Sequence, residues 1–210
     1  MLRNLIFTGI CFAFLTSCSV SSLSVTEKEK ILAMSEIETF QQHLTDEWND
    51  AETTPLKPDE KDNFQGIHFF PVDLKYRINA DFIAIKDGKT LPFPTSANKI
   101  KYFKEYGKVA FTLDSKSFEL TLYQYKPEKK EDEDDNELFL PFMDETNGDT
   151  SYGGGRYMDL YVDEIKNGKI IVDFNQAYNP YCAYSKYYNC PIPPANNYLT
   201  TEIKAGVSYK

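Results

Sequence analysis

The stretch Asp144-Glu145-Thr146-Asn147-Gly148-Asp149-Thr150-Ser151-Tyr152-Gly153-Gly154-Gly155-Arg156-Tyr157 gathers carboxylates, three consecutive glycines and an arginine. Glycines in a row admit positive φ and close backbone approach. Their amides can form a concave anion site, and the Arg156 guanidinium would add a two-pronged donor for a carboxylate or phosphate. The plainer alternative is a bulge or tight crossing, with Arg156 paired to Asp144 or Asp173.

A second stretch runs Asp173-Phe174-Asn175-Gln176-Ala177-Tyr178-Asn179-Pro180-Tyr181-Cys182-Ala183-Tyr184. It continues through Tyr187, Tyr188, Asn189 and Cys190 to Pro191-Ile192-Pro193-Pro194-Ala195-Asn196-Asn197. Pro and Asn are too frequent here for regular structure, and a loop this long in a compact domain is functional or firmly pinned. Asn side chains can satisfy irregular backbone, and Tyr rings can wall a pocket for a small polar ligand. A structural lid over one end of a sheet is the competing expectation. Cys182 and Cys190 suit a small disulfide loop in an oxidising compartment; metal ligation with His68, or free thiols, are the alternatives.

The candidate ligand-binding residues are therefore Asp144, Tyr152, Gly153, Gly154, Gly155, Arg156, Asp173, Asn175, Tyr178 and Asn179, provided the two stretches meet at one end of a sheet. Three readings follow: a binding module for a small polar or anionic ligand, a hydrolase, or a scaffold in which both stretches merely fold. The hydrolase would use Asp144 or Asp173 as general base while Arg156 steadies an oxyanion. No nucleophile elbow, phosphate loop, dinucleotide fingerprint, His-Glu-x-x-His or Cys-x-x-Cys occurs, so neither a metal nor a cofactor is expected. The two histidines, His43 and His68, read as a solvated and a structural residue.

Residues 1–17 carry one positive charge, Arg3, an apolar run from Leu5 to Leu15, and then small residues. This is a secretory signal, too short to span a bilayer permanently. Leu15-Thr16-Ser17-Cys18 matches a lipobox with Cys18 as lipid acceptor; an ordinary signal with a chance cysteine is the alternative. Each buried CH₂ of an acyl chain contributes about 0.8 kcal/mol, so a multiply acylated Cys18 is a durable anchor. Residues 18–26 would be a Ser-rich tether and 27–210 one globular domain. An outer-membrane, periplasm-facing position is expected. The formal charge of −9, which becomes −10 without Arg3, and the lack of a basic cluster exclude a nucleic-acid binder. No protein partner is readable.

The elements that must position these residues are mostly strands. Thr26 to Trp48 reads as a helix, with Met34, Ile37, Phe40, Leu44 and Trp48 on one face. Ala51 to Gly66 is a loop. Ile78, Ala80, Phe82 and Ala84 then alternate with polar residues, a hairpin turns at Asp114-Ser115-Lys116, Leu138 to Phe142 is a short strand, and Asn167-Gly168 predicts a second hairpin joining Met158–Val162 to Ile170–Phe174. Glu128 to Glu137 is an acidic, solvated loop. The expected fold is mainly β: an antiparallel sandwich or small barrel-like sheet with an N-terminal α-helix and a long irregular C-terminal loop.

Several blocks resemble the domain-of-unknown-function family 1684. They include Phe64-Gln65-Gly66-Ile67 with Phe69-Phe70-Pro71, Lys75-Tyr76-Arg77, and Phe139-Leu140-Pro141-Phe142-Met143-Asp144. Tyr152-Gly153-Gly154-Gly155-Arg156-Tyr157, Asp173-Phe174-Asn175, Asn179-Pro180-Tyr181-Cys182-Ala183-Tyr184 and Cys190-Pro191-Ile192-Pro193-Pro194 with Asn197 complete the pattern, preceded by Thr54-Pro55-Leu56. The resemblance covers most of residues 37–207. It implies no particular activity, but the two stretches singled out above are also the family's hallmark blocks.

Overall fold

A computed structural model describes residues 25–127, 131 and 134–209. The expected signal segment, Cys18 and half of the acidic run lie outside the described residues.

Among the described residues, helix α1 (Val25–Asn49) is followed by ten strands: β1 (His68–Phe69), β2 (Arg77–Ala84), β3 (Thr90–Pro94), β4 (Ile100–Leu113), β5 (Lys116–Lys126), β6 (Glu137–Asp144), β7 (Arg156–Tyr161), β8 (Lys169–Asp173), β9 (Tyr198–Leu199) and β10 (Val207–Ser208). The main path of the sheet is β7-β6-β5-β4-β2-β8, antiparallel throughout, with β3 added to β4 and β9 pairing parallel to β6. This is the expected mainly β fold, a half-barrel that leaves β7 and β8 as its two edges.

Strand β4 is long enough to serve two neighbours. Its first half pairs with β3 and its second half with β2, with a register shift between Glu105 and Gly107. Such a bulge bends a strand and increases its twist. The β4–β5 hairpin closes at Asp114 and Ser115, both at positive φ, as the sequence predicts.

The second predicted hairpin does not form. Asn167 and Gly168 do adopt positive φ, but their turn closes only the Lys166–Lys169 bridge. Before it, a 3-10 turn at Val162–Glu164 takes the chain away from β7, and β8 pairs with β2 instead. The turn chemistry was real; the partner was not local.

Alternation along the strands sorts residues onto two faces. Leu120, Leu122, Leu138, Leu140, Phe142, Met158, Ile170 and Val172 form the inner core, filled from the C-terminal side by Leu199, Ile203, Ala205 and Val207. Each such side chain contributes roughly 1.5–3 kcal/mol on burial. A smaller outer cluster holds Phe93, Phe103 and Tyr123, with Phe139 and Leu91 against it. Helix α1 buries only Ala33, Ile37 and Trp48 fully, while Met34, Phe40 and Leu44 are half-buried and His43 is exposed. Among the described residues, no helix is long and apolar enough to cross a membrane.

Candidate functional site

The glycine-rich stretch enters β7 immediately after a turn capped by the Asp144 carboxylate. Asp144 Oδ1 accepts from the Thr146 amide (2.9 Å), the Thr146 hydroxyl (2.6 Å) and the Ile203 amide (3.1 Å). Its Oδ2 accepts from Arg156 Nη2 at 2.7 Å, and both side chains are fully buried. Arg156 Nη2 also donates to the Ile203 carbonyl (2.7 Å), and Nη1 donates to those of Ala205 (2.6 Å) and Val207 (3.3 Å). The guanidinium lies over the Phe142 and Phe70 rings, 5.3 and 5.7 Å from their centroids. Burial pushes its pKa below the ordinary value, and the Asp144 charge opposes that shift.

Arg156 is thus no ligand fork. Four of its donor contacts end on Asp144 and three C-terminal carbonyls, and neither it nor Asp144 lines any of the three hollows described below. A base and oxyanion pair built on Asp144 and Arg156 has no access for substrate. The tight crossing set out as the alternative is what the chain adopts. Gly155 explains why: it has φ +87°, and a Cβ there would lie 2.6 Å from Pro193 and 2.8 Å from the Phe142 carbonyl. A Cβ on Gly153 would meet only ordinary contact with the Gly148 backbone at 3.6 Å, and one on Gly154 would crowd the Tyr152 ring of the same turn, so Gly155 is the glycine of the three that segments outside the turn demand.

Asp173 is held elsewhere. Its Oδ2 accepts from Arg77 Nη1 at 2.8 Å, directly across the β2–β8 register, and Arg77 Nη2 reaches Glu36 of α1 at 2.6 Å. Asp173 Oδ1 accepts from both nitrogens of Asn175. The Asn175 amide in turn pairs with the backbone of Asp73, accepting from its N–H and donating to its carbonyl. Asn175 is therefore a splice between two 3-10 turns. Asn197 plays the same part where β5 and β6 diverge: its side chain bonds Thr121 N–H and carbonyl and the carbonyl of Pro141, a residue with no N–H for the ladder.

The predicted disulfide is present between Cys182 and Cys190. Both sulfurs are taken up in it, which removes the cysteine-plus-His68 metal arrangement; His68 is exposed in β1, opposite Ser208. The clasp is sewn to the β3–β4 turn: Ser96 N–H donates to the Cys190 carbonyl (3.0 Å), and Ile192 N–H to that of Pro94 (2.9 Å). Tyr188 donates to the Pro55 carbonyl and Tyr187 to Asp59. Asn179 donates to the Tyr184 hydroxyl. Trp48 stacks on Phe64 and meets Tyr184 and Tyr181 edge-on, at 4.6 and 5.7 Å between centroids.

The two stretches do meet, as the site reading requires. Tyr152 donates to the Cys182 carbonyl at 3.4 Å, and Tyr157 exchanges backbone hydrogen bonds with Tyr178. The hollow beside their junction, however, is built from the opposite face of β7. Alternation turns Arg156, Met158 and Leu160 inward and Tyr157 and Asp159 outward. The outer groove, of about 440 Å³, has Phe103, Tyr125, Phe139, Tyr157 and Tyr178 as aromatic surface and Tyr181, Tyr187, Tyr188 and Pro191 as its lid side. Its charged residues are Lys101, Glu137 and Asp159.

Asp159 sits on the rim, open to solvent but crowded by aromatic atoms. Burial raises its carboxyl to about 6 and the Glu137 charge adds to the rise, while a 2.7 Å hydrogen bond from the Tyr178 hydroxyl pulls the other way. Lys101 has its ammonium 5.7 Å from the Tyr125 ring centroid, and burial lowers its pKa. Among the described residues no carboxylate comes within ion-pair distance of Lys101 or any cation within that distance of Asp159 or Glu137. Of the residues expected at a site, only Tyr178 lines this groove. Sequence reasoning missed Lys101, Glu137 and Asp159; the alternation of Tyr157, Asp159 and Tyr161 along β7 could have flagged Asp159, whereas Lys101 on β4 and Glu137 on β6 join it only through the sheet pairing.

Two other hollows exist. A seam of about 750 Å³ lies between α1 and the two sheet edges, with Glu36, His43, Arg77, Asp159 and Asp173 on its walls. A polar recess of about 460 Å³ is lined by Asp59, Glu60, His68, Lys186 and Tyr209.

Fold and site together define a class: a curled antiparallel sheet whose outer face is closed by a disulfide-clasped aromatic lid, and whose edge strand is locked by a buried arginine. The chain belongs to the family described as protein of unknown function (DUF1684), whose model matches residues 62–208. The Thr54-Pro55-Leu56 block and α1 fall outside that match. Among solved structures, the chain is similar to an uncharacterized protein of Haloarcula marismortui determined by solution NMR. The two share 30% identity and a TM-score of 0.67, over 87% of this chain and 97% of that one. Comparison with curated proteins finds no match.

Proposed function

We propose that this protein is an envelope lipoprotein, held on a membrane through acyl chains on Cys18, and that its domain binds a small polar ligand in the outer groove. The observation that carries the binding reading is the groove's composition. Charges without an ion-pair partner among the described residues, Lys101 against Glu137 and Asp159, share an aromatic-walled hollow with a lid fixed by a covalent clasp. Ligand sites combine such apolar walls with a few placed polar groups, and pre-fixed walls lower the entropy cost of binding. Anchoring is supported by the charge, apolar run and lipobox of residues 1–18, and an outer-membrane, periplasm-facing position is part of the proposal.

Thermal-shift measurements with sugars, carboxylates, phosphates, amines and short peptides test the binding reading. Ligand-dependent stabilisation that Tyr178→Ala or Lys101→Met removes is the expected result. Flat curves across all these classes sink it.

A further inference from the structure

We infer that the outer groove seats a short peptide with free ends, its C-terminal carboxylate against Lys101 and its N-terminal ammonium against Glu137 and Asp159. This rests on the reading of the groove as the ligand site and adds the ligand's class.

Lys101 is on β4, Glu137 on β6 and Asp159 on β7, and the sheet runs β7-β6-β5-β4. Neighbouring strands lie about 4.8 Å apart, so the strand of Lys101 is roughly 10 Å from that of Glu137 and roughly 14 Å from that of Asp159. The opposite charges are therefore at different ends of one hollow rather than paired with each other. Between them runs a continuous aromatic floor: Phe103 is 5.3 Å from Tyr125 and 5.1 Å from Phe139, and Phe139 is 4.8 Å from Tyr157, centroid to centroid.

Charge complementarity then selects the occupant. A simple anion would satisfy Lys101 but approach two carboxylates, and a simple cation would do the reverse. A neutral sugar could hydrogen-bond the three charges through its hydroxyls but would neutralise none of them. A free amino acid holds its ammonium and carboxylate on one carbon and cannot span the groove. An extended peptide advances about 3.4 Å per residue, so three or four residues bridge the charged ends and lay a middle side chain on the aromatic floor.

The test titrates the purified full-length chain with the tripeptide Ala-Phe-Ala, its N-acetylated form and its C-amidated form. Binding is read by calorimetry and by Trp48 emission, since Trp48 packs on Tyr181 of the lid. A charge-assisted hydrogen bond contributes enough to change affinity about tenfold. The free peptide should bind at least about tenfold more tightly than either blocked form. Lys101→Met should erase the difference between acid and amide, and Glu137→Gln with Asp159→Asn should erase that between amine and acetyl. Equal binding of free and blocked forms overturns the peptide assignment while leaving the groove as a ligand site. No binding by any of the three forms also overturns it. The groove reading then stands or falls separately on the thermal shifts with sugars, amines, phosphates and simple carboxylates.

Discussion

Arg156 shows how much a single residue's neighbours decide. In sequence, an arginine after three glycines fits an anion site as well as a structural pin, because both need close backbone and positive φ. What separates them is which face of β7 the side chain takes, and that is set by the inward run Arg156, Met158, Leu160. Breaking a buried ion pair by removing one partner typically costs about 3–5 kcal/mol. Arg156→Ala should therefore lower unfolding free energy by that order in urea titrations; a loss below about 1 kcal/mol would contradict the pin. Asp159 supplies a different residue-scale prediction. Its folded-state carboxyl is raised to about 6 from the ordinary 3.8, so its protonated form favours folding. That contribution is complete below about pH 3.8 and lost as pH rises through about 6. Asp159→Asn, neutral throughout, should gain in thermal midpoint relative to wild type between pH 4 and pH 7. A difference that stays level or shrinks over that range would refute the assignment.

At the scale of elements, the lid and the glycine turn were legible because Pro, Asn, Gly and Cys constrain backbone locally. The contact that holds position 155 to glycine was not, since Pro193 and Phe142 come from outside the turn. Gly155→Ala should cost about 1–3 kcal/mol through its positive φ and the crowded Cβ, whereas Gly153→Ala should be nearly neutral by chemical denaturation. Equal effects would show that the turn, not the crossing, sets the requirement. The Cys182–Cys190 loop is short, and the chain-entropy model assigns such a closure roughly 2.6 kcal/mol. Reduction, or replacement of both cysteines by serine, should lower the thermal midpoint accordingly and loosen the groove. The failed β7–β8 hairpin marks the other limit of local reading: Asn167-Gly168 specifies a turn, but which strand β8 joins is decided by its register with β2.

For the whole molecule, sequence alternation was enough to give a mainly β architecture with an N-terminal helix, and the structure adds that the sheet curls with its edges apart. The candidate site was half legible. The aromatic lid was found, but the charges facing it come from β4, β6 and β7, which converge only through long-range pairing. Cys18→Ala should abolish incorporation of labelled fatty acid and release the protein from the membrane fraction; continued acylation would end the anchoring proposal.

The carbonyls that quench Arg156 belong to Ile203, Ala205 and Val207, some fifty positions downstream of the side chain they satisfy. Gly206 lets this strip pass, with φ +72° and no room for a Cβ against the carbonyls of Phe174 and Ala177. The interior is incomplete until that strip is in place, because the buried cation would otherwise face the Asp144 carboxylate and the Thr146 hydroxyl alone. The fold is therefore closed from its far end: a copy clipped between Glu202 and Ala205 loses at least two of those carbonyls and leaves the guanidinium at the centre of the domain under-satisfied.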